Sequence, residues 1–324
     1  MDMHRRRLLA GAAGLLAAPV ARPALAQGRG GPIRLVVGFP PGGSGDLFAR
    51  FLAEPLREEL GRPVIVENRP GAAGVTAVEY FLRQPADGST LMMHTGSSAV
   101  SGPITRRNPP YDPTRDFAWV ALLSYAPFAV ALNPRVPAQG LAELVALAKR
   151  PDSRLAYSSA GIGTTVHLAG EALKEAAGIE MQHVPYPGSG PAITDTINGT
   201  VAANIETYGT LLQHHRAGTL RIVATMDPDR TPIAPEIPTA KEQGFDVTAG
   251  TYNLLAAPVG TPAEVMQQVS AAVGRVMARP AQKAQLETLG ITGIAESTPD
   301  QARQFVADEV AKWTPLVRRL GLAL

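Results

Sequence analysis

The chain has no cysteine among its 324 residues. That excludes disulfides, thiolate metal sites and a cysteine nucleophile. It also removes the lipid-modified cysteine that could tether an exported protein. Aromatic residues are few, at 5%. Long apolar runs are missing as well. The only early one, residues 8–18, is too short to span a bilayer, and none of sufficient length follows it, so a soluble protein is expected. Excess charge is also absent once the first residues are set aside. Residues 1–26 carry four arginines against one aspartate, which leaves 26 basic and 27 acidic residues, a net charge of −1. The pI near 9.0 belongs to the full chain and gives no reason to expect nucleic acid or an acidic membrane as partner.

What is present begins with an export signal. Arg5, Arg6 and Arg7 precede the short apolar run, and Ala24-Leu25-Ala26 reads as an A-x-A cleavage site. Residues 5–9 fit the twin-arginine pattern as well as an ordinary secretory start. Residues 1–26 are therefore expected to be removed, leaving a periplasmic protein. Gly and Pro make up 61 of the 324 residues without any repeating period, which implies many tight loops between regular elements.

Those elements alternate. Residues 33–39 form a nearly unbroken apolar run, as in a buried parallel strand. Leu47, Phe48, Phe51, Leu52, Leu56 and Leu60 follow at helical spacing, and Gly61 stands at the C-cap. Further strands are predicted at 64–67 and 90–94, with a helix between them. The pattern restarts with a strand at 155–158, a helix over 166–177 ended by Gly178, strands at 181–184, 202–205 and 220–224, and Pro191 opening another helix. This alternation means two doubly wound α/β lobes. Two apolar stretches, 119–132 and 247–257, read as crossings between them. The expected division is 31–125 plus 253–324 for lobe 1 and 126–252 for lobe 2. The mostly helical remainder, 262–324, is expected to pack back on lobe 1.

Two Gly-rich loops join a strand to a helix, residues 40–46 and 159–165. Each thus lies at the carboxyl end of a sheet and ends at a helix N-terminus, where free N–H groups and the helix dipole favour an anion. The first loop lacks the Lys of a P-loop and the third Gly of a dinucleotide fingerprint. It also has Asp46 where a G-x-S-x-G elbow needs Gly, so Ser44 is a poor hydrolase nucleophile. A plain turn in which Ser44 or Asp46 caps the helix fits equally well at this level. His94, His167, His183, His214 and His215 form no H-E-x-x-H pattern, so neither a metal nor another cofactor is expected. His167 fits either a donor to a bound carboxylate or a helix-surface histidine. Glu206 fits either an acceptor for a ligand hydroxyl or amine or a solvated strand-end carboxylate.

Seven motifs in order, FPPGGSGD at 39–46, VENRPGA at 66–72, DGSTL at 87–91, PYDP at 110–113, SAGIGT at 159–164, HLAGE at 167–171 and HVPY at 183–186, carry a resemblance over residues 32–324. The chain resembles the Bug-type periplasmic solute receptors, the extracytoplasmic binding subunits of tripartite tricarboxylate transporters. The resemblance implies a two-lobed periplasmic-binding-protein (Venus flytrap) fold with two crossing strands as hinge. It also implies capture of a small organic acid, with the carboxylate gripped between the first loop of each lobe. By position these are Pro41, Gly42, Gly43, Ser44 and Asp46, facing Ser159, Gly161, Gly163, Thr164, Thr165 and His167. Thr95, Ser97, Glu206 and Tyr208 complete the expected set. Pro187 stands where the family usually has Lys or Arg, Glu206 where it has Asp, and Tyr252-Asn253-Leu254 where an aromatic pair precedes a small residue, so no named ligand is carried over.

The expected function is a non-enzymatic, monomeric binding protein that delivers its acid to the membrane permease of such a transporter. Asp46 is expected to repel a second carboxylate. The alternatives are a stand-alone sensor that presents the acid to a membrane signalling partner and an exported serine hydrolase using Ser44.

Overall fold

The computed structural model describes residues 31–41 and 44–322. The proposed signal and cleavage site, residues 1–26, lie outside them. Strand β1 (Ile33–Val37) leads through the first Gly-rich loop into α1 (Ser44–Leu60), then β2 (Val64–Asn68), α2 (Val75–Phe81) and β3 (Thr90–Thr95). A π-helical turn at Ser97–Ser101 runs into the short α3 (Gly102–Ile104). The long β4 spans Phe117–Leu132, and α4 covers Leu141–Ala148. The second half repeats the plan with β5 (Ala156–Ser159), α5 (Thr165–Ala177), β6 (Gln182–Pro185), α6 (Ser189–Asn198), β7 (Ala203–Thr207), α7 (Tyr208–Arg216) and β8 (Arg221–Thr225). Then come β9 (Gly250–Pro258), α8 (Ala263–Ala278), α9 (Pro280–Thr288), β10 (Thr292–Gly293) and α10 (Pro299–Arg319).

The sheet runs β2-β1-β3-β9-β4 and continues β4-β7-β5-β6. β1 pairs in parallel with β2 and β3, and β5 in parallel with β6 and β7. Parallel strands buried on both faces read as mostly apolar runs, and every residue of β3 is buried, Thr90, His94 and Thr95 included. The first part of β4, from Phe117 to Pro127, pairs antiparallel with β9. Its second part, from Phe128 to Leu132, pairs antiparallel with β7 on one edge and β8 on the other. One continuous strand therefore belongs to both lobes, and pairing changes partners at Pro127/Phe128. The chain returns at Ala249, whose carbonyl accepts from the Phe128 N–H, just before β9 begins. This is the two-lobed fold of periplasmic binding proteins.

Three apolar cores form. One lies behind α1, where Leu52 and Leu56 meet Leu123, Leu255, Val269 and Val273. Another lies under α6 and α7 in lobe 2. The third crosses the lobes: Phe81, Phe117 and Trp119 connect through Phe128 and Val130 to Tyr157, Leu168 and Leu173. Val306, Trp313 and Val317 of α10 cover it. α10 therefore packs on both lobes, whereas α8 supports lobe 1. Its start is fixed by a Thr298/Gln301 capping box with Pro299 in the first turn. α6 begins two residues earlier than Pro191, behind Gly188, because a first-turn proline loses no helical hydrogen bond.

On the face opposite α10 the lobes touch backbone to backbone. Gly209, at the start of α7, lies so close to the turn after α9 that a Cβ there would overlap the Leu289 carbonyl oxygen. Gly290, with φ +68°, approaches Gly209 from the other side, its Cβ position 3.1 Å from the Gly209 Cα. Gly209→Ala should force these lobes apart locally. The expected cost is about 1–3 kcal/mol, the usual range for overpacking, read as a lower urea midpoint at unchanged m-value. An unchanged midpoint would contradict the contact.

Candidate ligand-binding cleft

Because each lobe is built on parallel strands, the loops that leave their carboxyl ends converge between the lobes. Lobe 1 supplies residues 38–41 after β1, 70–74 after β2, and Thr95 and Ser97 around the end of β3. Lobe 2 supplies residues 160–162 and 164–166 after β5, 187–191 after β6, and Glu206 and Thr207 at the end of β7. With Phe128 and Thr251 of the connecting strands they enclose a cavity of about 800 Å³. Much of this wall is backbone. A Cβ on Gly38 would lie 2.7 Å from the Gly74 Cα, so these two loops close on each other only as glycines. Ala72 between them holds φ +48°, an uncommon value for a residue with a side chain. The lobes also meet across the cleft: a Cβ on Gly96 would lie 2.9 Å from Thr165 Cγ2, and one on Gly163 3.0 Å from Thr105 Oγ1.

The electrostatics of the wall are unusual for an anion site. No Lys, Arg or His lines the cavity among the described residues. Positive potential comes instead from helix ends. α5 starts on the cleft with Thr164, Thr165 and Val166, and α6 starts there with Gly188, Ser189 and Gly190. The first N–H groups of a helix have no intrahelical acceptor and carry its partial positive charge. Thr164 fixes the α5 end. Its Oγ1 accepts from the His167 N–H at 3.3 Å and donates to the Gly161 carbonyl at 2.7 Å. Glu206 is the one charged side chain in the described lining. It is 6% exposed, and its Oε1 accepts from the Thr207 N–H at 2.8 Å. Its Oε2 is buried with no hydrogen-bond partner, as is Thr95 Oγ1.

Of the residues expected from sequence, Pro41, Thr95, Ser97, Gly161, Thr164, Thr165 and Glu206 lie together on this wall. Gly42, Gly43 and the Ser44 side chain are outside the described part of the structure. Five others do not line the cavity. Asp46 sits in the first turn of α1, 1% exposed, with Oδ1 accepting from Asn68 Nδ2 at 2.8 Å and Oδ2 paired with Arg50 Nε at 3.0 Å. Its carboxylate is engaged by these partners and does not line the described cavity. Ser159 shapes its loop from behind, its Oγ 2.6 Å from His183 Nε2 and accepting from the Gly161 N–H at 3.2 Å. Gly163 turns the chain with φ +74° and donates its N–H to His167 Nδ1 at 3.3 Å. His167 is neither a surface histidine nor a cleft donor: it is 4% exposed and stacks on His183 at 4.0 Å. Tyr208 is fully buried in the core beneath α7. Glu206 itself lies within β7 rather than after it, so it is buried and not a solvated strand end.

Residues 70–74, 187–191, Phe128, Thr207 and Thr251 were not anticipated as lining. The signal for the two loops was their Pro and Gly content, which marks turns without saying what they face. A second cavity of about 750 Å³ adjoins the first through Thr95, Thr207 and Thr251 and lies between α1, α7 and α9. It contains the exposed Leu47 and Leu289.

Residues 48–322 match the family described as "Tripartite tricarboxylate transporter family receptor". The chain belongs to this receptor family. It is 34% identical over 295 residues to the protein BugT of Bordetella pertussis, with 90% of each chain covered. Among solved structures, it is similar to an R. palustris protein determined with adipate, at 28% identity and TM-score 0.83, covering 90% of this chain and 98% of that one. It is also similar to the periplasmic binding protein BugD, at 28% identity and TM-score 0.81, covering 90% and 98%. The receptor thus stands among binding proteins and not enzymes, and the Ser44 hydrolase alternative falls.

A buried and a half-buried histidine give the receptor an acid limit. Burial lowers the His183 pKa to about 4, with the adjoining His167 adding to the shift, and burial lowers that of His94 to about 3. Both fall below the ordinary histidine value near 6.5. The native state therefore holds neutral rings that the unfolded chain would protonate. Their contribution is complete above about pH 6.5 and is lost as pH falls toward about 4. Stability measured in urea should decline between about pH 6.5 and 5, before carboxylates titrate, and His183→Gln should flatten that decline. An equal slope in the variant would contradict it.

Proposed function

We propose that the receptor is exported by removal of its N-terminal segment, captures a small organic carboxylate between its lobes in the periplasm and delivers it to the permease of a tripartite tricarboxylate-type transporter. The observation that carries this reading is a cleft between the lobes that no cationic side chain lines among the described residues and whose positive potential comes from the α5 and α6 N-termini of lobe 2, facing the glycine-rich loops of lobe 1. Such groups suit a compact anion, because they point at it and require no reorganisation. Thr164, Thr165 and Val166 would hold the carboxylate from lobe 2, with the 70–74 loop opposite. Similarity to an adipate-bound protein supports the same class of ligand. Bridging contacts made only when the lobes are shut would favour the closed state, a hinge transition about β4 and the return at Ala249. A sensor role with the same ligand chemistry differs only in the membrane partner.

The test is a thermal-shift screen of short carboxylic acids. A ligand that binds only the native state raises apparent stability in proportion to the logarithm of its concentration over Kd. At least one acid should raise the melting temperature in a saturable way. No shift with any acid would contradict the reading.

A further inference from the structure

Glu206 has no counter-charge among the described residues of the cleft. It is the only charged residue in the described lining and is more than nine-tenths buried. Its Oε1 is used by the adjacent Thr207 N–H, and its Oε2 is buried without any partner. A buried carboxylate oxygen left unsatisfied is costly unless something arrives to pair with it. Pro187, on the loop after β6 that lines the same cavity, supplies no cation. The α5 N-terminus stands elsewhere on this wall and suits an anion. The cleft thus presents both an anion-seeking group and a cation-seeking group.

We propose that Glu206 is a specificity-determining residue that selects ligands bearing an ammonium group as well as a carboxylate. This rests on the carboxylate-capture reading and names its ligand class: amino-carboxylates. The helix ends would hold the carboxylate and Glu206 Oε2 would accept from the ammonium. A dicarboxylate would instead set its second charge against Glu206.

The test uses ligands matched in chain length by calorimetric titration: 6-aminohexanoate, 6-hydroxyhexanoate, hexanoate and adipate, with 2-aminohexanoate and 2-hydroxyhexanoate, and the corresponding four-carbon set. In at least one set the amino member should bind at least about tenfold more tightly than the others, the scale of one charge-assisted hydrogen bond. Glu206→Gln should bring the members of that set within about threefold of each other. The wild-type ranking stands on its own should the variant fail to fold. If hexanoate, adipate or a hydroxy member binds as well as the amino member in every set, the Glu206 assignment is overturned and carboxylate capture stands. Persistence of the amino preference in folded Glu206→Gln overturns it too. If none of the acids binds, both readings fall.

Discussion

Strand β4 is the constraint on which the rest depends. Because its first part pairs with β9 and its second part with β7 and β8, neither lobe can be laid out independently of the other. The parallel strands of lobe 1 and those of lobe 2 are joined to opposite ends of one ribbon, so their carboxyl ends face each other. The loops that become the cleft are placed by that pairing. The core running from Phe81 through Phe128 to Leu173, with α10 laid across it, then ties the two halves on one face. On the other face, Gly209 and Gly290 meet backbone to backbone. A joint between two glycines carries no interlocking side chains, which suits it to small rotations of one lobe on the other.

The described wall of the cleft offers helix N-termini rather than cationic side chains. A lysine or arginine would attract an anion more strongly, but it would bring a long, strongly hydrated side chain that must be ordered on binding. The α5 N-terminus is already ordered by its Thr164 cap. Without such a cation, Glu206 is the only full charge in the described wall, and what it pairs with becomes a question about the ligand.

Much of the fold was legible in the sequence. The alternation of apolar runs and amphipathic stretches located the strands and helices of both lobes to within a few residues, because buried parallel strands leave continuous apolar runs. The two crossings were visible as long apolar segments, 119–132 against the observed Phe117–Leu132 and 247–257 against Gly250–Pro258. The packing of α10 on both lobes was not legible, since an amphipathic face says that a helix packs and not against what. In the cleft, the loop 159–165 was found by its glycines and its position after a strand. Asp46, His167 and Tyr208 do not line the described cavity, for a shared reason: polar residues beside a Gly-rich loop or a strand end look available, yet Asn68 with Arg50, His183 and the α7 core engage them. The 70–74 and 187–191 walls were missed because a backbone-lined surface has no side-chain signature.

The central claim is that one ligand is held by backbone from both lobes at once. Amide hydrogen exchange, with and without an acid that stabilises the protein, tests it most directly. Slowed exchange is expected in two separated segments together, the start of α5 at residues 165–166 and the 71–74 loop opposite. Slowing confined to one lobe, or absent from both segments while the acid remains bound, would contradict capture between the lobes.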